Sequence, residues 1–170
     1  MGEPMNISIR QANSDDADFI VWIMENSGRS GQKRGFWDAV IPDSESERLQ
    51  FMKDIVLAEN KSLCHFSGFA IAEIDGQPVA GLSGYYTEEI NREQFQAALK
   101  EVMDKHDWSL EKRESAGSRL MIFLDCFPGL LENAWVVEWV ATKPEYRKMG
   151  IMNKLIQYII VRGFNTTDCD

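Results

Sequence analysis

The sequence predicts a mixed α/β fold, an α+β arrangement with an antiparallel meander in the middle of the chain. Three observations carry this. Two β-rich apolar runs, Phe66–Glu73 and Pro78–Tyr86, flank Asp75-Gly76-Gln77; Asp-Gly between such runs marks a hairpin, because both residues tolerate positive φ. Ser44-Glu45-Ser46-Glu47 has the form of a capping box, with Ser44 accepting from the amide of Glu47 and Glu47 reaching back. Ala134–Thr142 (AWVVEWVAT) is the strongest strand pattern, and it passes through a basic turn with one glycine into an apolar helical face.

In chain order, Ile7-Ser8-Ile9-Arg10 alternates as a short strand does. Ser14 before Asp15 and Asp16 predicts a helix start, running to about Asn26 and stopping near Gly28. Gly28–Asp43 reads as a loop holding Phe36 and Trp37. These either pin the loop to the core, the commoner role of loop aromatics, or line a pocket. Leu49, Met52, Ile55 and Val56 share one face of a helix over about 45–59. The hairpin strands span about 67–74 and 78–86. Within 87–118, Phe95, Ala98, Leu99, Val102 and Met103 give a helical stripe over about 91–105, followed by a polar loop through Ser118. Arg119–Phe127 fits a short helix or strand, ended by Pro128-Gly129. Strict alternation in the strongest strand puts Trp135, Val137 and Trp139 on one side and Val136, Glu138 and Val140 on the other. Ile151, Leu155, Ile156, Ile159 and Ile160 then form a helical face to about Arg162, with Gly163 as the stop. With no repeat, low-complexity tract or linker, the expectation is a single domain over 1–170 with an inserted helical segment at about 87–118.

Composition narrows the function. Apolar residues make up 44% of the 170, enough for a core, and the formal net charge is −9. An acidic surface argues against a nucleic-acid partner, which needs a basic face. No apolar run reaches the roughly 18 residues of a membrane helix, and MGEPMNISIR carries no cationic apolar signal, so a cytoplasmic protein with no membrane partner is expected. Cys64, Cys126 and Cys169 form no CxxC pair and His65 and His106 stand far apart, so no metal site is expected. Cys126 as an acyl carrier has no supporting partner residue in the pattern.

The turn Arg147-Lys148-Met149-Gly150-Ile151-Met152 lies where strand hands over to helix. Free amides at a helix start and the helix dipole make an anion site, Gly150 lets backbone approach a ligand, and Arg147 and Lys148 add charge. A strand-to-helix turn also needs a glycine for purely structural reasons, and the turn alone leaves the two readings equal. Neither GxxxxGK[ST] nor GxGxxG is present.

VEWVATKPEYRKMGIMNKLI resembles the signature segment of the GCN5-related N-acetyltransferases (GNAT). Val140-Ala141-Thr142 leads through Pro144-Glu145-Tyr146 into Arg147-x-x-Gly150-x-Met152, similar to that family's R/Q-x-x-G-x-G/A loop. The likeness is specific over about 136–160 and rests on element order over 5–86. It implies a GNAT-like acyl-CoA N-acyltransferase fold, with a central mostly antiparallel sheet flanked by helices, C-terminally short in this chain. It implies acetyl-CoA as cosubstrate. Backbone near Val140, Ala141 and Thr142 would pair with the pantetheine arm, and the amides of Lys148, Met149, Gly150, Ile151, Met152 and Asn153 would hold the pyrophosphate beside Arg147. Two departures stand out. Met152 occupies a position usually Gly or Ala, and only eight residues follow Arg162 where the family normally adds another strand and helix.

Glu138, a carboxylate inside the most apolar strand, is the expected general base, and strand amides near Val140 are suited to polarise the thioester oxygen. The expected activity is acetyl transfer to a primary amine of a small molecule or peptide. The alternative is a degenerate or truncated module that binds CoA or a protein partner without catalysis. The sequence also leaves a homodimer open.

Overall fold

The computed structural model describes residues 6–124 and 132–167. Strands β1 (Ile7–Gln11), β2 (Phe69–Ile74), β3 (Gln77–Tyr86) and β4 (Trp135–Thr142) form one antiparallel sheet in the order β1-β2-β3-β4. Helices α1 (Ala17–Arg29), α2 (Phe36–Val40) and α3 (Glu45–Val56) lie between β1 and β2. Helices α4 (Arg92–Lys105) and α5 (Leu110–Leu124) lie between β3 and β4, and α6 (Ile151–Thr167) follows β4. The fold is therefore mixed α/β, with a four-stranded antiparallel sheet flanked by helices.

The local signals set the frame. Asp75 (φ 51°) and Gly76 (φ 73°) make the two-residue turn, closed by the pair Ile74–Gln77. Ser44 caps α3, with Glu47 N–H donating to Ser44 Oγ at 3.3 Å and Ser44 N–H donating to Glu47 Oε2 at 3.1 Å. Burial then sorts the helices onto two faces. Ala70, Ala72, Leu82, Ile151, Leu155 and Ile159 form one apolar cluster between the sheet and α6. On the other face Ile20, Ile23, Phe51, Ile55, Phe69 and Ile71 join α1 and α3 to the sheet in a larger cluster that also includes residues of α4 and α5.

Ion pairs fix the helices laterally. Asp38 on α2 meets Arg29 of α1 at 3.0 Å and Arg48 of α3 at 3.3 Å. The Arg29 hydrogen bond holds the Asp38 carboxyl down to about 2 against the opposing effect of burial. Asp54 on α3 takes Lys105 and His106, both at 2.7 Å, and so ties down the end of α4.

Several sequence expectations are corrected. The first helical turn is capped by Asn13 rather than Ser14: Asp15 N–H donates to Asn13 Oδ1 at 2.8 Å, and a 3-10 turn over Ser14–Asp16 precedes α1. Helix α1 runs past Gly28 and ends at Ser30 in the left-handed region. The 28–43 stretch contains α2, where Trp37 is buried and Phe36 packs edge-on against it, so both act as anchors. The stretch read as a polar loop through Ser118 is mostly α5; its buried stripe is sparse, chiefly Ala116 and Leu120 one turn apart, with long helix-forming residues elsewhere. Cys126, Pro128 and Gly129 lie outside the described residues.

Gly163, read as a stop, is inside α6, and its role is close approach. A Cβ there would fall 2.8 Å from Trp135 Cδ2, so the helix rests on the indole. Gly84 does the same from the sheet, where a Cβ would fall 2.5 Å from Ile159 Cγ1. Gly84→Val should therefore destabilise the fold by about 1–3 kcal/mol through overpacking, read from denaturant unfolding midpoints; an unchanged midpoint would show that α6 can lift from the sheet without loss.

Candidate active site

The site begins with an irregularity in β4. Ser83 pairs with Glu138 and Gly81 with Ala141, so Leu82 on β3 faces two residues, Trp139 and Val140. This is a β-bulge, and Trp139 takes φ 48° within it. The bulge breaks the alternation expected from the sequence. Trp135 packs towards α6, whereas Trp139 packs on the opposite face, its ring 6.0 Å from Trp37 and 6.1 Å from Phe36. Trp135 and Trp139 therefore do not share a side; Glu138 and Trp139 are neighbours on the α1–α2 side.

Glu138 is half-buried, and Ser83 Oγ donates to its carbonyl at 3.1 Å. Burial pushes its carboxyl above the usual range, and nearby Tyr85 partly offsets this. Tyr85 is itself buried; burial and then the Glu138 charge raise its phenol, which stays protonated at working pH. Its hydroxyl makes no hydrogen bond of full geometry among the described residues, and Glu138 is the carboxylate close enough to interact with it. Cys64 is fully buried, and burial plus the Glu138 charge push its thiol well up, which leaves it a poor nucleophile.

The second part of the site is the entry to α6. After Thr142 the chain makes a 3-10 turn over Pro144–Tyr146, and Arg147 Nε donates back to Thr142 O at 3.1 Å. Lys148 (φ 65°) and Gly150 (φ 75°) both adopt left-handed backbone. The first bond into the helix runs from Lys154 N–H to Gly150 O at 3.4 Å, so the amides of Ile151, Met152 and Asn153 have no acceptor within the helix. A Cβ on Gly150 would meet nothing within 4 Å, so open space lies against the loop. Met152 and Ile151 direct their side chains into the apolar cluster beneath the sheet, while Lys148, Met149 and Asn153 are exposed. The long side chain of Met152 thus leaves the open side of the loop clear. Among the described strands β4 pairs only with β3, and its other edge, where Val140 is 40% exposed, offers unpaired backbone groups. Ala141 turns its side chain inward to the α1 side and Thr142 is half-buried. Together these features suit a ligand that carries both a diphosphate and an amide-bearing arm.

A third feature is a cavity of about 480 Å³ between α4, α5 and the core, walled by Phe51, Phe95, Leu99, Trp108 and Leu120 and bordered by Tyr85. Sequence reasoning missed Tyr85, which has no local signature; only its pairing with Val136, 51 residues on, brings it to Glu138. Among the described residues no group of three or more His, Cys, Asp or Glu could hold a metal ion, and no helix is long and apolar enough to cross a membrane.

The raised Glu138 carboxyl has a signed consequence for stability. An unfolded Glu titrates near 4.5 and the folded one higher. Its favourable contribution is full below the unfolded value and is lost as pH rises through the folded one. Glu138→Gln should therefore be more stable than the parent at pH 8 and no different at pH 4, read from thermal unfolding at both; equal stability at pH 8 would mean that the carboxylate is not desolvated.

The acetyltransferase (GNAT) family model matches residues 35–170. No curated protein sequence matches significantly. Among solved structures, one acetyltransferase superposes with a TM-score of 0.68 at 19% identity, over 89% of this chain and 71% of the other. An N-acetyltransferase from Staphylococcus aureus Mu50 superposes with a TM-score of 0.65 at 16% identity, over 91% of this chain and 75% of the other. With most of its length matched by the family model and its fold matched by these structures, the chain belongs to the GNAT acetyltransferase family.

Proposed function

We propose that the chain transfers an acetyl group from acetyl-CoA to a primary amine of a small molecule or peptide, with Glu138 as the general base. The observation that carries this is the half-buried carboxylate of Glu138 beside the β4 bulge, on the strand that leads into the open N-terminus of α6. Met152 would favour a non-catalytic module only by crowding the loop, and it packs away from it.

A lysine-like amine has a reference pKa of about 10.4, so on the order of one in two thousand is free base at pH 7. Burial raises the Glu138 carboxyl above its ordinary range, which makes its carboxylate a stronger acceptor for the amine proton. Acetyl-CoA supplies an activated acyl group: a C–N bond to the amine would form, the C–S bond would break, CoA would leave as the thiolate, and the amine proton would go to Glu138. Lys148, Met149, Gly150, Ile151, Met152 and Asn153 would hold the pyrophosphate through backbone amides, with Arg147 and Lys148 adding charge. Val140, Ala141 and Thr142 would pair with the pantetheine arm along the open edge of β4, and the amide near Val140 would face the charge that develops on the thioester oxygen. The helical segment between β3 and β4 is the proposed acceptor side of a single domain.

Two measurements test this. Gly150→Glu should abolish the thermal shift produced by acetyl-CoA, since it places an anion where the pyrophosphate would sit; an unchanged shift removes the cradle. Glu138→Gln should keep that shift and lose about 10²–10⁴-fold in thiol release measured with an amine and DTNB. Full turnover across pH 6–9 would show that another group takes the proton.

A further inference from the structure

We infer that the acceptor carries one amine on an uncharged apolar body, and that this body lies in the cavity between α4 and α5. The inference rests on the acetyl-transfer reading and names its substrate class. The cavity, about 480 Å³, falls within the roughly 300–1,000 Å³ typical of small-molecule sites. Its walls are fixed rather than slack. Asp54 holds the end of α4 through Lys105 and His106, Arg119 on α5 donates to Val40 O at 3.0 Å, and Phe51 stacks on Trp108 at 4.8 Å.

Tyr85 connects this space to the chemistry. It borders the cavity, and it lies close enough to Glu138 for that carboxylate to raise its phenol. Its hydroxyl is buried and makes no hydrogen bond of full geometry among the described residues, and Glu138 is the carboxylate it interacts with, so a polar group entering from the cavity can bridge the two. An amine at the end of an apolar body meets the Tyr85 hydroxyl and then the Glu138 carboxylate.

Charge sets the selectivity. Among the described residues no Asp or Glu lines the cavity, whereas Arg92, Lys100 and Arg113 do. Lys100 and Arg113 share Asp104, and the Arg92 guanidinium faces Met121 Sδ at 3.1 Å. A second or third cation on the acceptor meets Arg92 and the net-positive Lys100–Asp104–Arg113 group, so the cavity selects against polyamines.

The test compares 2-phenylethylamine and hexylamine with spermidine in acetyl-CoA turnover, using the parent and Gly117→Leu. Gly117 lines the cavity from α5, and a Cβ there meets nothing within 4 Å, so the larger side chain has room and also favours the helix. The expected result is a kcat/KM for the two monoamines about tenfold or more above that for spermidine. Gly117→Leu should raise their KM about tenfold with kcat and the acetyl-CoA shift retained. A preference for spermidine, or an unmoved KM in Gly117→Leu, overturns the inference while leaving acetyl transfer intact. Should no amine be acetylated, the acetyl-transfer reading fails, and calorimetry with 2-phenylethylamine still decides the cavity: heat of binding in the parent and none in Gly117→Leu supports it, and none in either overturns it.

Discussion

The β-bulge in β4 is the constraint on which the rest of the site depends. Placing Trp139 and Val140 opposite the single residue Leu82 reverses the facing of the strand partway along. Trp135 can then lie under α6 while Trp139 and Ala141 belong to the opposite core. A non-glycine residue in left-handed backbone costs about 1–3 kcal/mol, and the packing of Trp139 against Trp37 and Phe36 supplies the offset. The short helix α2 therefore matters beyond its length: it presents the aromatic surface that holds the bulge in place. Glu138, next to the bulge, is consequently held in partly apolar surroundings, and this raises its carboxyl.

The two ends of β4 serve different purposes. At one end Trp135 fills the space opened by Gly84 and Gly163, which locks α6 to the sheet. At the other, Arg147 folds back onto Thr142 and the chain passes through two left-handed residues before α6 begins. Because α6 is anchored by Ile151, Leu155 and Ile159, its free amides are presented at a fixed position relative to the bulge. Rigid spacing between a helix start with free amides and a half-buried carboxylate is what the proposed reaction on a diphosphate-bearing thioester would require.

Much of the frame was legible in the sequence, because its signals are local. The Asp75-Gly76 turn and the Ser44–Glu47 box each specify their geometry within four residues. The strand–turn–helix segment, with Gly150 at its centre, was equally readable, and the family match covers it. What escaped was set by tertiary packing. AWVVEWVAT alternates well enough to be a regular strand, and only the aromatic partners Phe36 and Trp37, a hundred residues earlier, decide that it is bulged. Gly163 looks like a helix stop unless Trp135 is known to lie against it. The orientation of Met152 follows from the rotational phase of α6, and the closeness of Tyr85 to Glu138 from strand pairing across the whole α4–α5 segment.

The most direct test of this account is a crystal structure with CoA bound. The account predicts pyrophosphate oxygens on the amides between Lys148 and Asn153, the pantetheine arm along the open edge of β4, and the sulfur reaching the bulge on the Glu138 side of the sheet. A CoA molecule whose phosphates avoid the start of α6, or whose sulfur emerges on the α6 face, would contradict it.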